Sequence, residues 1–143
     1  MKEKILVSAC LLGVNCKYDG SNNDNEKVNE YIKDKEIIII CPEIMGGLTT
    51  PREPSEILSK KVISKSGKNV TINFKRGAEE ALMLAQKFNV KKALLKSKSP
   101  SCGCGQIYDG TFSGNLIKGD GITTELLKKH GIEVITEKDL NNL

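Results

Sequence analysis

Three cysteines, Cys10, Cys41 and Cys102, each lie at or just beyond the end of an apolar run, and each opens a loop rich in Gly, Pro or Ser. Thiolates are soft ligands, and three of them gathered at one place suit a metal or an iron–sulfur cluster. Taken singly, a cysteine that ends a buried strand is an ordinary small core residue. Three at equivalent places along the chain argue instead for a shared site. The chain has five cysteines in all, an odd number that fits reduced thiols kept for metal binding or catalysis better than a disulfide framework. None of the three belongs to a CxxC pair, so this is not zinc-ribbon spacing. Cys16 stands in a polar loop and reads as a spare thiol. Cys104 forms a CGC with Cys102 and reads as an alternative ligand or a sulfur acceptor.

The neighbours of these thiols add acid–base and polar chemistry. In the run Cys41–Pro42–Glu43, the carboxylate beside a metal site is a candidate proton shuttle. Ser99–Pro100–Ser101–Cys102–Gly103 puts two hydroxyls and a turn next to the third thiol. Backbone N–H groups in such loops can hydrogen-bond cluster sulfides and hold negative charge. Arg52, between Pro51 and Pro54, either binds an anion or lies in solvent. The one histidine, His130, falls in the last turn of a predicted helix, where a cation complements the helix dipole. Without a second histidine, a His-based zinc hydrolase or a Cys–His protease has little to stand on. Neither GxGxxG nor GxxxxGKS/T occurs, so the usual phosphate loops are excluded.

The elements that must gather these residues follow from hydrophobic periodicity. Lys4–Ala9 (KILVSA) and Ala93–Leu95 read as buried strands, and Ile132–Ile135 as a last strand. The four isoleucines Ile37–Ile40 predict a strand buried on both faces. Helices are expected over Glu26–Lys35, Arg76–Phe88 and Ile122–His130, the last opened by Asp120 and closed by Gly131. Lys61–Ser64 and Val70–Asn73 are expected to pair as a hairpin, while Gly13–Asn25, Cys41–Ser55 and Ser97–Gly121 read as loops. Strands alternating with helices predict one α/β domain over 1–143, a mainly parallel, Rossmann-like sheet flanked by helices. In such sheets ligands bind beyond the carboxyl ends of the strands, where the three cysteines fall.

At 143 residues, with 38% hydrophobic and 28% charged residues, the chain can bury a core without staples. The net charge of +4 comes from lysines scattered among acids, aromatics make up only 4%, and tryptophan is absent. Nucleic acid is therefore not the expected partner, and a small polar or anionic molecule is. Met1–Lys4 lead straight into the short run Ile5–Val7, too short for a signal peptide or membrane span, so a cytoplasmic location is expected. No heptad or isolated apolar patch marks an oligomer interface.

Four blocks in order, VSACLLGVNCKYDG (Val7–Gly20), CPEIMGGLTTPREPSEI (Cys41–Ile57), KSKSPSCGCGQIYDGTFSG (Lys96–Gly114) and GDGITTELLKKHGIEVITE (Gly119–Glu137), resemble the thiouracil desulfurase-like family of small bacterial and archaeal proteins. The resemblance runs over nearly the whole chain. It implies a [4Fe–4S] cluster held by Cys10, Cys41 and Cys102, with the remaining iron free of protein ligands and open to substrate. It also implies catalytic roles for Glu43 and Ser99, with Ser101 beside them as a substrate-binding residue. Cys104 stands where the family motif more often has another residue, which leaves both thiols of the CGC open as ligands. The implied activity is non-redox removal of sulfur from a thiolated pyrimidine such as 2-thiouracil, leaving a carbonyl and releasing hydrosulfide. Two other functions fit the same residues: an iron–sulfur or sulfur carrier without turnover, and a tRNA-directed sulfur enzyme.

Overall fold

Strand β1 (Lys4–Ser8) runs directly into a 3-10 turn over Ala9–Leu12. Helix α1 (Glu26–Tyr31) starts where Asn25 caps it, the Asn25 Oδ1 accepting from the N–H groups of Lys27 at 2.9 Å and Val28 at 3.2 Å. Strand β2 (Glu36–Ile40) leads into the one-turn helix α2 (Pro42–Met45), whose first residue needs no N–H partner because it is proline. The hairpin of β3 (Ser55–Leu58) and β4 (Lys61–Ser64) precedes the long helix α3 (Thr71–Lys87). Strand β5 (Lys92–Leu95) is followed by a second hairpin, β6 (Gln106–Tyr108) with β7 (Leu116–Lys118). Helix α4 (Ile122–Lys129), strand β8 (Glu133–Thr136) and a 3-10 turn over Asp139–Asn142 complete it. This computed structural model describes residues 2–142; Met1 and Leu143, the ends of the expected domain, lie outside the described residues.

The main sheet is parallel, in the order β2-β1-β5-β8. Because side chains alternate across a strand, β1 buries Leu6 on one face and Ile5 and Val7 on the other. Ala81 and Ala85 of α3 and Leu127 of α4 cover the first face, while Val28 of α1, Leu11 and Leu140 cover the second. The fold is therefore a single small α/β domain with helices on both sides of a mainly parallel sheet. Each fully buried aliphatic side chain here contributes roughly 1.5–3 kcal/mol of burial energy.

Two glycines set how closely α2 approaches α3. A Cβ on Gly77 would sit 1.8 Å from the Pro42 carbonyl oxygen, and one on Gly46 would sit 1.9 Å from that of Asn73. The two backbones touch where no side chain can intervene, and Pro42 is the residue that follows Cys41.

Some expectations change. The isoleucine strand β2 lies at the sheet edge, so Ile39 is 50% exposed and only Ile40 is fully buried. An apolar run cannot distinguish a central strand from an edge strand whose outer side is open. Lys61–Ser64 pairs along its length with Ser55–Leu58; toward Val70–Asn73 its carbonyls take only the Val70 N–H, on Val62 at 2.9 Å, because residues from Thr71 onward begin α3. The turn of that hairpin uses Ser59 and Lys60 at φ 51° and 66°, a left-handed pair without the usual Asn-Gly signal. The Gly-rich stretch before α4 contains the second hairpin. Asp120 does not cap α4; its Oδ1 accepts from the Gly105 N–H at 2.8 Å and its Oδ2 pairs with Lys128 at 3.1 Å. Among the described residues, no helix is long and apolar enough to cross a membrane.

Candidate active site

Beyond the carboxyl ends of β1, β2 and β5 lies a cavity of about 470 Å³ lined by Cys10, Cys16, Cys41 and Cys102 together with Glu43, Arg52, Ser99 and Ser101. Each residue arrives on a different short segment. Cys10 sits in the 3-10 turn after β1, which ends as Gly13, at φ 89°, returns its N–H toward Ala9 and Cys10. Cys41 is the residue before α2 and keeps an extended backbone. Cys102 sits in a turn closed by the Ser99 hydroxyl, which accepts from the Cys102 N–H at 2.7 Å. Helix α4 straps that turn down: Thr124 Oγ1 donates to the Cys102 carbonyl at 2.8 Å, and the Thr123 N–H donates to the Ser101 carbonyl at 2.8 Å.

The thiols stand in unlike environments. The neighbouring Cys16 is the largest influence that holds Cys10 and Cys41 down at about 7. Asn23 Nδ2 donates to the Cys10 sulfur as well, at 3.5 Å. Cys16 itself is pushed up by the same contacts. Cys102 is wholly buried, and that burial pushes it up to about 12 against the hydroxyls of Ser101 and Ser8, each 3.5 Å from its sulfur. A cation in the cavity beside Cys102 would offset that burial and favour its thiolate. Three thiols lining one cavity, with hydroxyl and amide donors aimed at the sulfurs of Cys10 and Cys102, together fit an iron–sulfur cluster.

Glu43 faces the same cavity and is held at both oxygens. Arg52 Nε donates to Oε1 at 3.0 Å, and Ser101 Oγ donates to Oε2 at 3.1 Å. The Ser99 and Ser101 hydroxyls lie 3.3 Å apart, so a chain of hydrogen bonds runs from Arg52 through Glu43 and Ser101 to Ser99. Arg52 does not lie in solvent; the anion it meets is the Glu43 carboxylate. Its side chain is only 9% exposed, and besides Glu43 it donates to the carbonyls of Thr49 and Cys16 at 3.1 and 2.8 Å. It thus fastens the Gly13–Asn25 loop to the segment carrying Glu43.

The sequence reading and the geometry part at the other two cysteines. Cys16, read as spare, is buried and lines the cavity between Cys10 and Cys41. Cys104, left open as a ligand, lies against the core, with its sulfur 3.7 Å from the Val134 carbonyl. His130 is at the surface with Nδ1 3.1 Å from the Leu126 carbonyl, a helix-end contact of the kind expected. Lys96 and Glu137 were not singled out by any motif. Lys96 lines the cavity and is anchored by Glu137 Oε2 at 3.0 Å, while Glu137 also accepts from the N–H and hydroxyl of Ser97 at 2.8 and 2.7 Å. Their distance along the chain left no local signal.

Comparison with known proteins places the chain in a family. A solved structure, that of the [4Fe-4S]-dependent thiouracil desulfidase TudS (DUF523Vcz), is 46% identical, with a TM-score of 0.93 covering 99% of this chain and 95% of that one. Protein YbbK of Bacillus subtilis (strain 168), which carries no assigned function, is 43% identical over 149 residues, covering 97% of this chain and 99% of YbbK. The model of the 2-thiouracil desulfurase family matches residues 5–139. By fold, sequence and the residues that line its cavity, the chain belongs to the 2-thiouracil desulfurase family.

Proposed function

We propose that the protein removes sulfur from a small thiolated pyrimidine of the 2-thiouracil type by hydrolysis, using an iron–sulfur cluster as its cofactor. The observation that carries this reading is the single cavity shared by three ligand-type thiols and the clamped carboxylate of Glu43. Cys10, Cys41 and Cys102 would hold a [4Fe–4S] cluster, which when bound supplies a soft Lewis acid for the thiocarbonyl sulfur. The description of TudS as [4Fe-4S]-dependent supports this choice.

The rest is the work of the chain's own side chains. Glu43 takes a proton from the water that attacks the ring carbon, with Arg52 and Ser101 fixing which way its oxygens point. Ser101 passes hydrogen bonds from Glu43 to Ser99, so the two hydroxyls can orient the base and return a proton toward the departing sulfur. Water adds its oxygen to carbon and the C–S bond breaks. The thiocarbonyl becomes a carbonyl, sulfur leaves as hydrosulfide, and no electrons are gained or lost. A fixed carboxylate that faces the cavity favours turnover over a carrier of iron or sulfur.

The test is anaerobic loading with iron and sulfide, followed by measurement of hydrosulfide and uracil formed from 2-thiouracil. Stoichiometric uracil and hydrosulfide, lost in Glu43→Gln with the cluster absorbance retained, support the hydrolytic reading. A loaded protein that releases no hydrosulfide would point to the carrier function. Full turnover by Glu43→Gln would remove Glu43 as the base.

A further inference from the structure

The chain has only three tyrosines, three phenylalanines and no tryptophan. Tyr18, Tyr108 and Phe112 all line the one cavity that holds the cysteines. An aromatic-poor sequence has placed half of its large rings around its proposed site, on two separate segments of chain.

Phe112 is held there by unusual means. It lies on the loop joining β6 to β7, with φ of 57°, a left-handed conformation that a phenylalanine rarely takes. The strain is fixed by Glu56 of β3, which is 9% exposed. Its Oε1 accepts from the N–H of Gly110 at 2.9 Å and from the N–H of Phe112 at 3.1 Å. Gly110, at φ 93°, lies so close to β3 that a Cβ would meet the Ile57 carbonyl at 2.9 Å. A nearly buried carboxylate and a strained backbone are both unfavourable by themselves. Here they cooperate to keep one aromatic ring at the cavity wall. Phe112 is itself only half-buried, so packing of the core does not account for it.

We propose that Phe112, with Tyr18 and Tyr108, forms an aromatic wall that selects a flat heterocyclic thioamide over an acyclic one, and that Glu56 is the positioning residue that keeps Phe112 in the wall. Aromatic rings stack on planar bases without needing a particular pattern of donors and acceptors. The hydroxyls and Glu43 then act on the thioamide group, which cyclic and acyclic compounds share, while the wall reads the ring. This inference rests on the desulfurase reading for its kinetics but not for its binding measurement.

The experiment compares the cluster-loaded wild type with Phe112→Leu, Phe112→Tyr, Glu56→Ala and Glu56→Gln, using 2-thiouracil and thioacetamide. Equilibrium dialysis gives Kd for 2-thiouracil, and hydrosulfide release gives KM and kcat for both compounds. Phe112→Leu should raise Kd and KM for 2-thiouracil about tenfold, leave kcat within about twofold, and leave thioacetamide kinetics unchanged. Phe112→Tyr should bind as the wild type does. Glu56→Ala should weaken binding as Phe112→Leu does, and Glu56→Gln, which keeps a carbonyl acceptor, should restore most of it. Unchanged Kd in Phe112→Leu, or equal losses with both compounds, overturns the wall, whether or not Glu56→Ala folds. If the wild type binds 2-thiouracil without turning it over, the desulfurase reading fails while Kd still decides the wall. No binding by the wild type overturns both.

Discussion

Replacing Gly77 by alanine puts a methyl group where the backbone of α2 already is. The new Cβ would lie 1.8 Å from the Pro42 carbonyl oxygen and 2.7 Å from its carbon. Real Cβ contacts essentially never fall below 3.0 Å, so α2 and α3 must part by about 1.2 Å, the difference between those distances. The substitution gains about 1 kcal/mol of helix propensity, because glycine in a helix interior is unfavourable by that amount. Overpacking a close contact costs about 1–3 kcal/mol with side chains that can turn aside, and here both partners are backbone. We expect the second effect to win by about 2 kcal/mol, a fall in Tm of about 4–8 °C. Cys41 precedes Pro42 directly and must move with it, so iron retention after anaerobic loading should fall as well. Differential scanning calorimetry of the unloaded protein and iron content of the loaded one give the two readings. A Tm that stays level or rises would refute the reasoning, because propensity would then have prevailed over a contact that the geometry makes rigid. A lower Tm with full iron retention would refute only the link between α2 and Cys41.

Three further outcomes are expected. Burial opposes charge on Glu137, but the bonds from the Ser97 hydroxyl and N–H and from Lys96 outweigh it and hold the carboxyl below its ordinary value of 4.5. A group depressed in the folded state stabilises above its unfolded value and loses that contribution as pH falls through the folded one. Urea midpoints of the wild type should therefore drop as pH falls below about 4.5, and Glu137→Gln should be flatter there; parallel curves would show that the group is not linked to folding. Arg52→Ala strips the donors from Glu43 Oε1 and from the Cys16 carbonyl, and urea unfolding should register a loss of about 2–4 kcal/mol, with Arg52→Lys failing to restore it because one ammonium cannot replace a fork. A loss below about 0.5 kcal/mol would place that network in the class of weak surface pairs. Asn25→Ala should cost about 1 kcal/mol through the lost cap and raise amide exchange in α1 before other elements, and uniform exchange across the chain would argue against a local effect.

What could be read from the sequence was the part written in short-range patterns. Short continuous apolar runs mark β1 and β5, and the small-residue period of Ala78, Ala81 and Ala85 marks α3. With strands and helices alternating, the carboxyl-end rule alone brings Cys10, Cys41 and Cys102 to one rim. What escaped depends on partners distant in the chain. Cys16 looked spare because nothing local says that Arg52 will draw its loop against the cavity. Arg52 stayed open between an anion and solvent because its role appears only when Glu43, Thr49 and Cys16 are seen together. The β3–β4 hairpin was missed because Ser59 and Lys60 take a left-handed turn that glycine or asparagine would have announced. The edge place of β2 is a fact of sheet order, which four consecutive isoleucines do not encode.

The strap between the Cys102 turn and α4 carries a consequence for how the protein is made. A chain emerging from the ribosome offers Cys10, Cys16 and Cys41 well before Cys102, and the Cys102 turn, closed locally by Ser99, is strapped down only once Thr123 and Thr124 of α4 arrive to bind its carbonyls. N-terminal segments can condense during synthesis, but the full set of thiols exists only after nearly the whole fold has closed. If Cys10, Cys41 and Cys102 hold the cluster as proposed, its insertion would be a late event performed on a folded acceptor. In the interval the early thiols would be open to any soft ion that reaches them first, so on this reading maturation would set closing of the fold against mismetallation.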